Sequence, residues 1–211
     1  MARREHDAYP TVEDLARAIV ERIALYFPMP ERVVEPTAGD GAFVRAAREV
    51  WPDAKIIAID LVASHDVTCR AAGANRFITA DARTVNYHGA DLVLGNLPFN
   101  VAAAILRRIR ETAPEAACAF LLPVGFQGRT QGRVHGKEDP ALRRDAAFWR
   151  LARRVYSAPI HPRPSFTGDG KTDRMEYSLE GFGRSWDDGS VLGDPIVWRP
   201  EAGADEAEEA A

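Results

Sequence analysis

The sequence has few cysteines and no long apolar run, and each shortage excludes a class of protein. Cys69 and Cys118 are its two cysteines among 211 residues. Two distant thiols without a Cys-x-x-Cys spacing argue against a zinc site and against a disulfide scaffold. No apolar stretch approaches the roughly 20 residues that cross a bilayer, and the N-terminal MARREHD lacks the apolar segment of a signal peptide. We therefore expect a cytoplasmic protein without a membrane partner.

A large excess of one charge is also missing. The chain has 27 Lys+Arg against 31 Asp+Glu, which excludes a uniformly basic surface but not local basic patches. Five of the acids lie in Glu201–Ala211, which has no base, and we predict a disordered acidic tail there. Eleven Lys+Arg against five Asp+Glu fall in Gln127–Arg174. We predict a single domain at 1–200 in which 127–174 is a basic, loop-rich elaboration that faces the substrate.

Turn residues and apolar runs divide the chain into alternating helices and strands. Apolar residues at spacings of three and four from Val12 to Ile23 predict a first helix, with Thr11 as its cap. Strands are predicted at Arg32–Glu35, Lys55–Asp60, Arg76–Thr79, Asp91–Gly95, Ala116–Leu122 and Met175–Leu179. Further helices are predicted at Phe43–Val50, Val101–Thr112 and Leu142–Arg153. This order predicts an α/β fold, a three-layer sandwich on a mostly parallel sheet of about seven strands with an antiparallel C-terminal hairpin.

A glycine turn follows the first predicted strand, in Glu35-Pro-Thr-Ala-Gly-Asp-Gly-Ala-Phe43. Glycines let the backbone turn tightly beside a ligand, and the helix that follows offers free N–H groups. Val44 stands where a dinucleotide fingerprint has its third glycine, and no Gly-Lys-Ser/Thr follows, so neither that motif nor a P-loop is present. The turn therefore indicates a nucleotide-like ligand of another kind.

Acidic residues at three predicted strand ends indicate a ligand with positive charge. Glu35 precedes the glycines, Asp60 is placed to accept hydrogen bonds from two ribose hydroxyls, and Asp81 could accept from an adenine amino group. Carboxylates suit S-adenosylmethionine, whose sulfonium and ammonium groups are cationic. The segment resembles motif I of the class I S-adenosylmethionine-dependent methyltransferases, in the Glu-Pro-x-x-Gly-x-Gly form of the adenine-N6 enzymes, which implies their Rossmann-like fold.

The resemblance also implies a set of cofactor-binding residues. Tyr9-Pro-Thr11 resembles the segment that packs over the cofactor in these enzymes. The set implied is Tyr9, Thr11, Glu35, Pro36, Ala38, Gly39, Gly41, Asp60, Leu61, Asp81, Ala82 and Asn96.

A second motif, Gly95-Asn-Leu-Pro-Phe-Asn100, follows the fourth predicted strand. The exocyclic amine of adenine is a poor nucleophile, because its lone pair is delocalised into the ring, so methylating it needs acceptors for its protons. The Asn96 side-chain oxygen and the Leu97 carbonyl would be these acceptors, and Pro98 would stiffen the turn that aims them. Phe99 offers a face on which an unpaired base can stack.

This motif resembles the Asp/Asn-Pro-Pro-Tyr/Phe signature of amino-methyltransferases. Its second residue is Leu97 rather than proline, which matches the Asn-Leu/Ile-Pro-Tyr/Phe form of ribosomal-RNA adenine dimethyltransferases. The resemblance implies Asn96, Leu97, Pro98 and Phe99 as the catalytic group. The departure at Leu97 bears on which nucleic acid is the substrate.

The loops of 127–174 resemble the Arg-Pro-x-Phe … Lys-Thr-Asp … Glu-Tyr run of small, phage-type adenine-N6 DNA methyltransferases. Their positive charge suits a phosphate backbone. The predicted substrate-binding residues are Phe99, Asn100, Arg129, Arg163 and Lys171.

Together these observations predict methylation of adenine N6 in DNA, with S-adenosylmethionine as the cofactor and no metal. Four alternatives stay open: the same reaction on ribosomal RNA, methylation of cytosine N4, methylation of a protein glutamine, and a binding protein without turnover. The histidines, His65 among them, show no ligand spacing and are expected on the surface or in loops. The sequence indicates neither a recognition site nor an oligomeric state.

Overall fold

The structure of the protein is a computed structural model that describes residues 10–126, 133–134, 137–164, 175–183 and 192–198. Its helices are α1 (Glu13–Ala24), α2 (Ala42–Val50), α3 (His65–Ala71), α4 (Ala102–Thr112) and α5 (Ala146–Ala152). Its strands are β1 (Arg32–Glu35), β2 (Lys55–Asp60), β3 (Arg76–Thr79), β4 (Leu92–Asn96), β5 (Ala117–Pro123), β6 (Arg133–Val134), β7 (Lys137–Glu138), β8 (Arg154–His161), β9 (Tyr177–Gly183) and β10 (Ile196–Val197). Short 3₁₀ turns lie at Val124–Phe126 and Pro140–Leu142.

Eight of these strands form one sheet in the order β10-β8-β9-β5-β4-β1-β2-β3. The first five strands along the chain pair in parallel, and β9 pairs antiparallel with both β5 and β8. β6 and β7 form a separate antiparallel ribbon. The predicted α/β fold with its antiparallel C-terminal hairpin is confirmed. The sheet has one strand more than predicted, because the two residues of β10 pair in parallel with β8.

Helices cover both faces of the sheet. Along β4, Leu92 and Leu94 pack in a core that includes residues of α1, α2 and α3, whereas Val93 packs in a second core with α4 and α5. A strand that is buried on both faces alternates in this way because its side chains have a period of two. The predicted three-layer sandwich is therefore present.

Helix α3 and strand β8 are among the elements that were not predicted, and each lacks a sequence signal. Helix α3 buries one residue, Cys69, so it has no apolar stripe. Strand β8 contains Pro159, and a proline within an apolar run argues against a strand. The helix predicted from Leu142 begins at Ala146 instead, where the Asp145 side chain accepts a hydrogen bond from the backbone N–H of Phe148 at 3.0 Å.

The sheet topology fixes the position of the functional residues. From β1 the chain continues outward through β2 and β3, then returns to β4 on the other side of β1. In open α/β sheets, ligands bind in the crevice at such a reversal, beyond the carboxyl ends of the strands. Glu35 and Asn96 are the last residues of the two strands that border it.

Candidate active site

A cavity of about 570 Å³ lies beyond the carboxyl ends of β1, β2 and β4. Its wall includes the glycine turn after β1, the loop after β2, the segment Ala80–Arg83 after β3 and the Asn-Leu-Pro-Phe motif after β4. Segments that lie far apart in sequence therefore border one space, because parallel strands direct their carboxyl ends to the same edge.

The glycine turn presents the start of α2 to this edge. Gly41 is the residue that precedes α2, and it has a left-handed φ of 84°. A Cβ at Gly41 would lie 3.1 Å from the Cβ of Ala72, so both the backbone and the space require glycine. No side chain caps α2 at Gly41. The backbone N–H of Val44, in the first turn of α2, interacts with the Glu35 carboxyl and lowers its pKa.

Glu35 is a buried carboxylic acid at the end of β1, with 3% of its surface exposed. Burial raises the pKa of Glu35 well above its usual value, the nearby Asp60 raises it further, and the hydrogen bond from Val44 lowers it. Gly95 makes room for the side chain, since a Cβ there would lie 3.3 Å from Glu35 Cγ. Among the described residues, no group hydrogen-bonds to the buried Glu35 Oε2. An unsatisfied buried acceptor is destabilising, and a donor or cation from a ligand would relieve it.

Asp60 ties the end of β2 to the glycine turn. Its Oδ2 accepts from the backbone N–H of Gly39 at 2.8 Å, and its Oδ1 accepts from the backbone N–H of Val62 at 2.8 Å. His65 Nδ1 lies 3.2 Å from Asp60 Oδ1, and His65 Nε2 lies 3.8 Å from Asp40 Oδ1. These three side chains form a cluster at the cavity wall.

Asp81 is held by its near neighbour Arg83. Arg83 Nη2 and Nε donate to Asp81 Oδ2 at 2.6 and 3.0 Å, while Nε and the backbone N–H of Arg83 donate to Oδ1 at 3.0 and 2.9 Å. The hydrogen bonds from the Arg83 side chain are the main cause of a lowered pKa of Asp81. Each carboxylate oxygen already accepts two hydrogen bonds, so an adenine amino group could bind Asp81 only if Arg83 moved.

Asn96 is held through its side chain and its backbone. Its Nδ2 donates to Thr11 Oγ1 at 3.1 Å, and its backbone carbonyl accepts from Thr37 Oγ1 at 3.2 Å. The prediction that Thr11 caps α1 is wrong: Val12 occupies the cap position, and no side chain caps the helix. The Thr11 hydroxyl binds Asn96 instead, across 85 residues of sequence.

The residues that follow Asn96 form a turn with an aromatic face. The Leu97 side chain is buried in the core, at 1% exposure, and the backbone N–H of Val101 donates to the Pro98 carbonyl at 3.0 Å. The half-buried Phe99 lies with its ring centroid 5.8 Å from that of Tyr177 on β9. Tyr177 is buried, so it supports one side of Phe99.

The structure brings most of the predicted site residues together. On the cavity wall are Pro36, Gly39, Asp60, Leu61, Asp81, Ala82, Asn96, Leu97, Pro98, Phe99 and Asn100. Glu35, Ala38 and Gly41, in the glycine-turn motif, are buried and do not line the cavity. Thr11 is hydrogen-bonded to Asn96, which does line it. Arg163 is exposed and is not part of the wall. Tyr9, Arg129 and Lys171 lie outside the described residues, as does the predicted tail at 201–211.

Four polar residues of the wall were not predicted: Thr37, Asp40, His65 and Arg83. Thr37 and Asp40 are within the glycine-turn motif, and Arg83 is within the quoted Asp81 segment, so proximity in sequence could have found them. His65 carried no such signal, because it begins the unpredicted helix α3. His65 begins α3 and lines the cavity, where its side chain is 27% exposed.

The described residues contain neither a candidate metal site nor a candidate membrane-spanning helix. No group of three His, Cys, Asp or Glu side chains in that part of the chain could hold a metal ion. Among its helices, none has the length and apolar character to span a bilayer.

Comparison with known proteins identifies the fold. No protein-family model matches the chain, and no curated protein matches it by sequence. Among solved structures, it resembles a TehB-like S-adenosylmethionine-dependent methyltransferase from Corynebacterium glutamicum, with a TM-score of 0.51 and 14% identity over 81% of this chain and 88% of that one. TrmN from Thermus thermophilus gives 0.55 and 20% identity over 87% of this chain and 51% of that one. The tRNA (uracil-54, C5)-methyltransferase of Pyrococcus abyssi, solved with S-adenosyl-L-homocysteine, gives 0.54 and 11% identity over 80% and 38%. The chain therefore has the Rossmann-like fold of these methyltransferases.

Proposed function

We propose that this chain transfers a methyl group from S-adenosylmethionine to the N6 amine of adenine in DNA. The observation that carries the proposal is one cavity whose wall includes two groups: the glycine turn with the acidic residues Asp60, at the end of β2, and Asp81, after β3, and the Asn-Leu-Pro-Phe motif. The first group suits a cationic cofactor, and the second suits a planar amine. The fold shared with S-adenosylmethionine-dependent methyltransferases supports the same reading.

The residues present fit S-adenosylmethionine. Glu35 keeps a buried oxygen, Oε2, for which no described residue provides a donor, and Asp60 lies near enough to raise the pKa of Glu35. Asp40 and Asp60 both line the cavity. This negative region would attract the cofactor's ammonium and sulfonium charges. We propose that Asp60 holds the ribose hydroxyls and that the Asp81 region holds the adenine edge. When bound, the cofactor supplies an electrophilic methyl group.

The chain's own residues would bind the amine and accept its protons. With Nδ2 donating to Thr11, the Asn96 amide has its Oδ1 on the opposite side, as an acceptor for an N6 proton. The Leu97 carbonyl would be the second acceptor. Two acceptors favour a tetrahedral nitrogen whose lone pair is available for attack. The proton becomes acidic as the N–C bond forms, so no strong base is required.

Phe99 would stack on the target base. Its ring is half-buried against Tyr177, and base–aromatic stacking is worth about 1–3 kcal/mol for each base. Since a base inside a duplex cannot reach this cavity, the target must be flipped out or unpaired. The exposed Arg163 and the basic 127–174 segment would contact phosphates beside the cavity.

Core packing offers a reason for leucine at position 97 besides the resemblance to RNA enzymes. Its side chain packs in the core between the sheet and α4, so leucine at this position serves packing. We therefore retain DNA as the proposed substrate, by resemblance of the 127–174 segment to phage-type enzymes. RNA is the alternative, and the tRNA methyltransferase among the structural neighbours is consistent with it.

Transfer of radiolabelled methyl groups tests the proposal. Unmethylated duplex DNA, single-stranded DNA and ribosomal RNA would be incubated in parallel, and labelled nucleosides would be identified after digestion. Variants Asn96→Ala and Phe99→Ala would be compared with Asn86→Ala, an exposed asparagine outside the cavity.

We expect label in N6-methyladenine from DNA, loss of at least about 100-fold in Asn96→Ala, and unchanged transfer by Asn86→Ala. Label in RNA alone would replace DNA with RNA. Tight binding of S-adenosylmethionine without transfer to any of the three would contradict the nucleic-acid proposal.

A further inference from the structure

A residue of the segment before α1, Thr11, contacts the proposed catalytic motif with its side chain. Thr11 lies two residues before α1, and its side chain does not cap that helix. Its hydroxyl oxygen instead accepts the Nδ2–H of Asn96 at 3.1 Å. The bond is partly buried and joins residues 85 apart in sequence.

A second threonine fixes the backbone of the same residue. Thr37, in the glycine turn, donates through Oγ1 to the Asn96 carbonyl at 3.2 Å. In addition, Asn96 is paired with Leu121 in the parallel ladder between β4 and β5. The backbone position of Asn96 is thus set by Thr37 and β5, and Thr11 binds the Nδ2 end of its carboxamide.

The direction of this carboxamide matters to the chemistry. An asparagine amide has an acceptor end and a donor end, and only the oxygen can accept a proton from the substrate amine. If the amide were turned by half a rotation, its NH₂ group would face the amine, donor against donor. An aspartate in the same place would not have this problem, because both of its oxygens are acceptors.

We propose that Thr11 is a positioning residue that holds the Asn96 amide with its oxygen toward the substrate. This inference rests on the proposed function and extends it to a residue outside the catalytic motif. It also assigns Thr11 a different role from the cofactor contact that the sequence implied. Thr11 acts through Asn96 and has no direct part in binding the cofactor.

Kinetics in two backgrounds test the proposal. Thr11→Val removes the hydroxyl at nearly constant volume, Thr11→Ser keeps it, and Thr68→Val removes an exposed hydroxyl that donates to its own helix. We expect Thr11→Val to lower kcat about 3- to 10-fold with little change in the affinity for S-adenosylhomocysteine. Thr11→Ser and Thr68→Val should stay within about 2-fold of the parent chain.

Thr11→Val in an Asn96→Asp background distinguishes an effect on the orientation of the residue 96 side chain from an effect on side-chain packing. Because aspartate has two equivalent acceptors, Thr11→Val should then change kcat by less than about 2-fold. An equal loss in both backgrounds would overturn the proposal, and so would an unchanged kcat in the Asn96 background. Weaker S-adenosylhomocysteine binding at constant kcat would also overturn it, since Thr11 would then be a cofactor contact.

A spectroscopic readout distinguishes failure of this inference from failure of the proposed function. The side-chain NH₂ resonances of Asn96 would be assigned in a ¹H–¹⁵N spectrum by their loss in Asn96→Asp. We expect Thr11→Val to shift them and Thr68→Val to leave them in place. If the parent chain transfers no methyl group to any nucleic acid, the proposed function fails. Unshifted resonances in Thr11→Val would refute the contact whatever the activity.

Discussion

Replacing Glu35 with glutamine should make the folded protein more stable and the cofactor complex weaker. Glu35 is almost fully buried and its pKa is raised by burial and by Asp60, so ionising it in the folded protein is unfavourable. Glutamine has nearly the same shape and keeps an oxygen to accept from the Val44 N–H. The substitution therefore removes the charge while it retains the hydrogen bond at the start of α2.

The magnitude follows from the charge that glutamine lacks. Each unit by which burial raises the pKa of Glu35 makes its ionised form about 1.4 kcal/mol less favourable in the folded protein. For a protein of this size each kcal/mol shifts Tm by about 2–4 °C, so at a pH where Glu35 is ionised each such unit should raise the Tm of Glu35→Gln over that of the parent by about 3–6 °C. Loss of a charged hydrogen bond to the cofactor should weaken its binding by about 10- to 150-fold.

The raised pKa of Glu35 also fixes the direction in which the stability of the folded protein changes with pH. Because the pKa of Glu35 is higher in the folded protein than in the unfolded chain, the folded state holds the proton to higher pH, and its stability falls as pH rises through that interval. The Tm advantage of Glu35→Gln should thus grow as pH rises above the pKa of glutamate in an unfolded chain, about 4.3. Proton release on binding a cationic ligand is expected in the same range.

Calorimetry measures the changes in stability and in cofactor affinity that Glu35→Gln causes. Thermal scans give Tm, and titration with S-adenosylmethionine gives Kd. Glu180→Gln is the matched control, since Glu180 is equally buried but accepts from Arg154, Ser157 and Ser178. That variant should lower Tm without changing cofactor affinity. A Glu35→Gln variant that is less stable than the parent, or that binds the cofactor equally well, would refute the reasoning.

Two further predictions concern the glycine turn and the Asp81–Arg83 ion pair. Gly41→Ala should destabilise the fold by about 1–2 kcal/mol and weaken cofactor binding, because φ at Gly41 is 84° and the new methyl would lie 3.1 Å from the Cβ of Ala72. Denaturant unfolding of this variant and of Gly125→Ala, whose Cβ would meet nothing within 4 Å, checks it, and equal midpoints would contradict it. Arg83→Ala should tighten S-adenosylhomocysteine binding by up to about 5-fold, because it removes the ion pair that fills the acceptor positions of Asp81. Titration calorimetry measures this, and weaker binding would mean that Arg83 itself contacts the cofactor.

Apolar runs and turn residues in the sequence were sufficient to predict many of the strands. The bounds of β1, β2 and β3 agree with the apolar runs, since a buried parallel strand is a short run of apolar residues between turn signals. Helix α3 and strand β8 could not be predicted, because the first has a single buried residue and the second contains a proline. Both depend on contacts with elements elsewhere in the chain.

The sequence by itself determined which residues occupy the ends of the strands: Glu35 and Asp60 at the ends of β1 and β2, and Asn96 in the motif at the end of β4. It could do so because strand ends and turns are specified by neighbouring residues. Only the tertiary structure decided the polar contacts among them. Thr11, expected to cap a helix, binds Asn96 instead, and His65, expected on the surface or in a loop, lies against Asp60. Such partners are brought together by the packing of the sheet and its helices, and no pattern along the chain specifies them.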